Sequence, residues 1–189
     1  MKVTWNAPGT LGLCGVSLLV FGLQTVLPGV GGVFASPVRV DPAEPLFFVQ
    51  CVAHVLGHVN FSHLSNNLLL LLLLGPMVEA RHGTGWFLSI AALTAVVTAL
   101  AALGLGHRVQ GLSGVVFTCI GLASVAGARR GELPVTMLLV LGVYLGAEVM
   151  DLLRHDAVSQ LSHLIGGVVG AGVGLALARP APGERSSEP

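Results

Sequence analysis

The chain has 189 residues, of which 53% are hydrophobic and only 10% charged, with nine Lys and Arg balanced by nine Asp and Glu. Soluble domains carry about 25% charged residues, so composition excludes a water-soluble surface, and zero net charge excludes the basic patch that nucleic acid requires. A mean hydropathy of +0.85 fits a chain whose apolar surface faces lipid and whose backbone pairs with itself in helices.

A membrane-spanning helix needs about 20 mostly apolar residues. Six stretches approach that length, at about 11–27, 63–78, 86–105, 113–128, 134–149 and 161–178. They predict an all-α membrane domain over residues 1–178, a six-helix bundle. The joints are polar or rich in Gly and Pro: 82–85, 104–111, 129–132 and 151–159. Only the connection 28–62 is long. It carries Pro28, Pro37, Pro42 and Pro45 together with Phe34, Phe47, Phe48 and Phe61, and this aromatic content places part of it in the membrane interface. Residues 179–189 are rich in Pro, Ser and Glu and are expected to be a disordered tail.

Six spans put both ends on one side, with Lys2, Arg81, Arg129, Arg130, Arg179 and Arg185; the other side holds Arg39, Arg108 and Arg154. The positive-inside rule then puts both termini in the cytoplasm and the loop 28–62 outside. A rival reading cuts the first stretch as a signal peptide after Ala35, but the stretch is long for a signal. Cys14, Cys51 and Cys119 are widely spaced, form no metal or disulfide pattern, and read as small apolar residues.

Polar residues in spanning segments are costly and are candidate functional groups by default. Three clusters occur. The first holds His54, His58, His63 and Asn67 at the entry to the second stretch. His63 and Asn67 are four apart and share a helix face, as do His54 and His58. The latter two also fit an interfacial loop that merely caps the helix. The second is Gly111-Leu-Ser113-Gly114, where the fourth stretch begins. A serine between glycines at a helix start has an uncrowded hydroxyl beside unpaired backbone N–H groups, although Gly and Ser are also ordinary packing residues in membranes. The third is Ser162-His163-Leu-Ile-Gly166-Gly-Val-Val-Gly170. Its Gly166 and Gly170 let another helix approach closely. If that helix is the fourth, His163 can reach Ser113 and act as general base and acid. No Asp or Glu lies inside a stretch to complete a triad, Glu148 and Asp151 being at a helix end, so a dyad is the economical reading.

The order of these features resembles the rhomboid proteases: a His and Asn four apart in the second span, GxSG opening the fourth, and His followed by GxxxG in the sixth. The resemblance covers roughly residues 47–177. It implies that Ser113 is the nucleophile and His163 the base, and that His63, Asn67 and the Ser113 N–H hold the oxyanion. It implies packing of Phe117 against His163, where family members often have Tyr. It gives supporting roles to Gly111, Gly114, Gly166, Gly170, His54 and His58, and a bracing role on the cytoplasmic side to Glu79 and Arg81. The family's Trp-Arg pair in the first external loop is absent, with Val49-Gln50 at the matching spacing. The expected form is a minimal bacterial six-helix core in an inner membrane, with no soluble domain before the first stretch.

The expected activity is that of an intramembrane serine endopeptidase acting on transmembrane protein substrates within lipid, with no cofactor or metal. The alternatives are a catalytically inactive rhomboid-like factor that binds membrane proteins, a metalloenzyme built on His54, His58 and His63, and a small channel. The first requires loss of the Ser or His, and both are present. The second lacks an HExxH spacing and a carboxylate. The third lacks an inverted repeat and an ionic pathway.

Overall fold

The structure is a computed structural model that describes the backbone of residues 4–27, 29–152 and 157–178, and their side chains except in 144–152 and 157–161. The expected tail 179–189 lies outside the described residues, as do Lys2, Pro28, Arg154, Arg179 and Arg185; Glu148 and Asp151 are described in backbone only. Seven α-helices occur among the described residues: α1 (Pro8–Val26), α2 (Pro45–Ala53), α3 (Phe61–His82), α4 (Thr84–Gly104), α5 (Ser113–Ser124), α6 (Val135–Leu152) and α7 (Ala157–Ala176). Of these, α1, α3 and α4 are long and apolar enough to cross a membrane, while α2, α5 and α7 contain shorter apolar segments.

The helix ends follow from local chemistry. Pro8 opens α1 at a position where a missing N–H costs nothing. The next two N–H groups, of Gly9 and Thr10, donate to the buried Glu79 carboxylate at 2.8 and 2.9 Å. Glu79 also accepts from the hydroxyls of Thr10 at 2.9 Å and Thr84 at 2.7 Å. One anion near the end of α3 thus caps the positive end of α1 and pins the start of α4. Of Glu79 and Arg81, the two residues expected to brace the bundle, Glu79 links these three helices and Arg81 is exposed. Asn60 caps α3, its Oδ1 accepting the His63 N–H at 2.8 Å.

α5 packs against α3, α4, α6 and most closely α7. Its buried residues lie all round it, which is the signature of a core helix. It stops at Ser124, short of the sequence-based limit of 128, where the chain turns through Gly127 at φ 87°. The α5–α7 contact is backbone on backbone. A Cβ added at Gly166 would collide with the Gly114 carbonyl, and one at Gly170 with the Thr118 carbonyl. The partner that the GxxxG step admits is therefore α5.

The connection 28–62 is more ordered than its Pro content suggests. It holds 3-10 turns at Val30–Gly32 and His54–Leu56 as well as α2. Its links run to distant residues: Ser36 N–H to Val109 O at 2.8 Å, Val109 N–H to Ser36 Oγ at 2.9 Å, and Arg108 Nε to Ser36 O at 3.2 Å. Gln50 ties α2 back to the loop by donating to Gly32 O at 2.8 Å.

Candidate active site

Ser113 is the first residue of α5 and is 9% exposed. The turn before it is held from below by the 54–58 segment. The Gly111 N–H donates to the His54 carbonyl at 2.9 Å, and the Leu112 N–H donates to His58 Nε2 at 3.4 Å. Gly111 has φ 120°, which favours glycine, and a Cβ there would press on the His63 ring. The first turn of a helix leaves its leading N–H groups without intrahelical acceptors. At α5 these are the N–H groups of Ser113, Gly114 and Val115, since Val116 already bonds to Leu112 O.

His63 and Asn67 lie one turn apart near the start of α3. Asn67 is buried, and its Nδ2 donates to His63 O at 3.0 Å. His63 is half-buried, and its Nδ1 finds no hydrogen-bond partner among the described residues. The His63 ring meets His58 edge-on, with centroids 5.1 Å apart.

His163 stands on α7 one turn before the Gly166 crossing. Its ring stacks on Phe117 of α5, with centroids 4.3 Å apart and planes 5° from parallel. The fold thus brings together Gly111 with His63, Gly114 with Gly166, and Phe117 with His163, from α3, from α5 and the turn before it, and from α7.

His54 and His58 are both 2% exposed. Neither caps α3, which Asn60 does; both sit under the turn that precedes Ser113. His54 Nε2–H donates to Ala95 O at 2.9 Å. His58 contacts Leu56 O through Nδ1 at 3.2 Å, which leaves Nε2 as the acceptor for Leu112. Burial, and then the neighbouring His63, push the His58 pKa down from 6.5 to about 4. A neutral ring is what its acceptor role needs.

Several contributors were not singled out from sequence. Gln24 Oε1 accepts the His58 N–H at 3.1 Å. Thr94 and Thr118 pair their buried hydroxyls at 2.9 Å, and Thr98, also buried, lies one turn along α4 with its hydroxyl 3.5 Å from His54 Nε2. The two α4 threonines are four apart among alanines, a stripe legible in the sequence; that it faces Thr118 is not.

A hydroxyl at a helix start, N–H groups without intrahelical acceptors beside it, and an imidazole on the contacting helix suit acyl transfer. A family model described as Rhomboid domain matches residues 46–180. The chain is 29% identical over 168 residues to rhomboid protease GlpG of Pectobacterium atrosepticum, which covers 86% of this chain and 60% of that protein. It is 31% identical over 126 residues to rhomboid protease GlpG of an Enterobacter species, which covers 66% of this chain and 46% of that protein. The chain spans roughly half the length of these curated relatives.

Proposed function

The chain belongs to the rhomboid family, and on that premise we propose that it is an intramembrane serine endopeptidase working through a Ser113–His163 dyad. Its substrates are membrane proteins cut in or near a transmembrane segment. One observation carries the reading: α5 and α7 touch backbone to backbone at Gly114 and Gly166, one residue after the serine and three after the histidine.

The chemistry runs as follows. Ser113 Oγ attacks the scissile carbonyl carbon as its proton passes to His163. The resulting oxyanion takes hydrogen bonds from the Ser113 N–H and from the side chains of His63 and Asn67. His163 then gives the proton to the leaving amine, and water, deprotonated by His163, hydrolyses the acyl-enzyme. A closed helix hides its carbonyls in hydrogen bonds, so the substrate helix must unwind locally at the cut. Small residues at the cut and helix breakers beyond it favour this.

The topology that goes with this reading has six spans, both termini in the cytoplasm of a prokaryotic cell, and the 28–62 loop outside. The test is to expose purified protein to a fluorophosphonate probe and to a generic transmembrane substrate in detergent or liposomes. Labelling and cleavage are expected, and both vanish in Ser113→Ala and His163→Ala. Cleavage that survives Ser113→Ala sinks the mechanism.

A further inference from the structure

The hydroxyls of Thr94 and Thr118 meet where α4, α5 and α7 converge, and Thr98 lies one turn further along α4. Thr94, Thr98 and Thr118 are 0%, 1% and 1% exposed. A buried hydroxyl must find partners, and each has one proton to give. Thr98 donates to Thr94 O at 2.8 Å or Ala95 O at 3.0 Å, both within α4. Thr94 Oγ1 and Thr118 Oγ1 lie 2.9 Å apart across the helix pair. Thr118 Oγ1 shares its one proton between two carbonyls that cannot donate in return, Gly114 O at 3.0 Å and Gly166 O at 3.1 Å. The Thr118 proton is therefore used there, and Thr94 must supply the proton between the two hydroxyls.

The ordinary role of a threonine inside a helix is to bond the carbonyl four residues back, which the Gly114 bond does. The bond to Gly166 is different, because it crosses to α7. It falls at the level of the dyad: Gly114 follows Ser113, and Gly166 lies one turn after His163. Glycine-on-backbone packing at Gly166 and Gly170 sets how close the helices come but offers little that is directional. A hydroxyl bonded to one particular carbonyl fixes the rotation and height of α7.

We propose that Thr118 is a positioning residue: its hydroxyl, which accepts a hydrogen bond from Thr94, fixes α7 against α5 and so holds His163 in register with Ser113. The proposal rests on the dyad reading for its effect on rate, and misplacement of a reacting group by about 1 Å can cost about 100-fold.

The test compares Thr118→Val, which keeps the shape and removes the hydroxyl, with Thr118→Ser, which keeps the hydroxyl. In the full chain, Thr118→Val is expected to lower kcat about tenfold, corresponding to about 1.4 kcal/mol, with KM unchanged within about twofold. Fluorophosphonate labelling should slow in parallel. Thr118→Ser should stay within about threefold of the unmodified protein. A second readout needs no activity. The His163 ring resonance, seen with labelled histidine and assigned through His163→Ala, carries the ring-current shift of the stacked Phe117. It is expected to move in Thr118→Val and to return in Thr118→Ser. A resonance unmoved in Thr118→Val overturns the proposal, as does an equal displacement in both variants, which would assign the effect to packing. If the unmodified protein neither labels nor cleaves, the dyad reading falls, and the resonance still decides the role of Thr118.

Discussion

Phe117 lies flat on His163, one ring on the other at 4.3 Å between centroids. The pair joins α5 to α7 beside Ser113, so the imidazole is held on one face by a ring that carries no hydroxyl. What this ring gives His163 is a stacked apolar face.

Aromatic pairs are worth about 0.5–1.5 kcal/mol beyond their buried area. Phe117→Ala is therefore expected to reduce kcat by up to about tenfold while leaving KM nearly unchanged. Phe117→Tyr keeps the ring and should retain most of the activity. Steady-state cleavage of a transmembrane substrate measures both. Full activity in Phe117→Ala would remove the ring from the account.

The glycines of α7 differ in what surrounds them. Gly166 and Gly170 face the α5 backbone, whereas a Cβ at Gly167 would meet nothing within 4 Å among the described residues. Overpacking costs typically about 1–3 kcal/mol, and here the obstacle is backbone that cannot rotate aside. Gly166→Ala and Gly170→Ala should each lower the melting temperature and abolish most cleavage. Gly167→Ala should melt like the unmodified protein. A thermal melt in detergent separates them.

Glu79 carries four hydrogen bonds from Gly9, Thr10 and Thr84. Hydrogen bonds to a charged group contribute about 1.5–3 kcal/mol each. Glu79→Gln replaces one acceptor oxygen with a donor and removes the charge at the α1 N-terminus. A loss of about 2 kcal/mol or more is expected, read as easier denaturation. Activity per folded molecule should be little changed, because this cap serves α1, α3 and α4 rather than α5 or α7.

His58 sets a pH dependence. Its folded pKa of about 4 lies below the ordinary 6.5, so the unfolded chain binds the proton more readily. Its contribution to stability is full above about pH 6.5 and is lost as pH falls towards about 4. Protonation also removes the acceptor for the Leu112 N–H, at 3.4 Å. The melting temperature should fall by several degrees over that window, and the slope should flatten in His58→Gln. An equal slope in the variant would assign the pH dependence to other groups.

The amino-acid sequence by itself determined what depends on composition and local period. A charge content of 10% decides for lipid over water. The spacing of His63 and Asn67 places them on one face because a helix repeats every 3.6 residues. Gly111, Ser113 and Gly114 mark a helix start by their own conformational needs, and a GxxxG step announces that some backbone will come close. Only the tertiary structure decided which one. The Gly166–Gly114 approach, the Glu79 cap on residues 69 and 70 positions away, and the meeting of Thr94 with Thr118 join segments that no local period connects. The 28–62 loop was legible as long and aromatic but not as containing α2, because Pro45 reads equally as a loop residue or a helix opener, and its neighbours settle which. The stacking of Phe117 on His163 is of the same kind: each residue announces itself, and the packing of α7 on α5 decides that they meet.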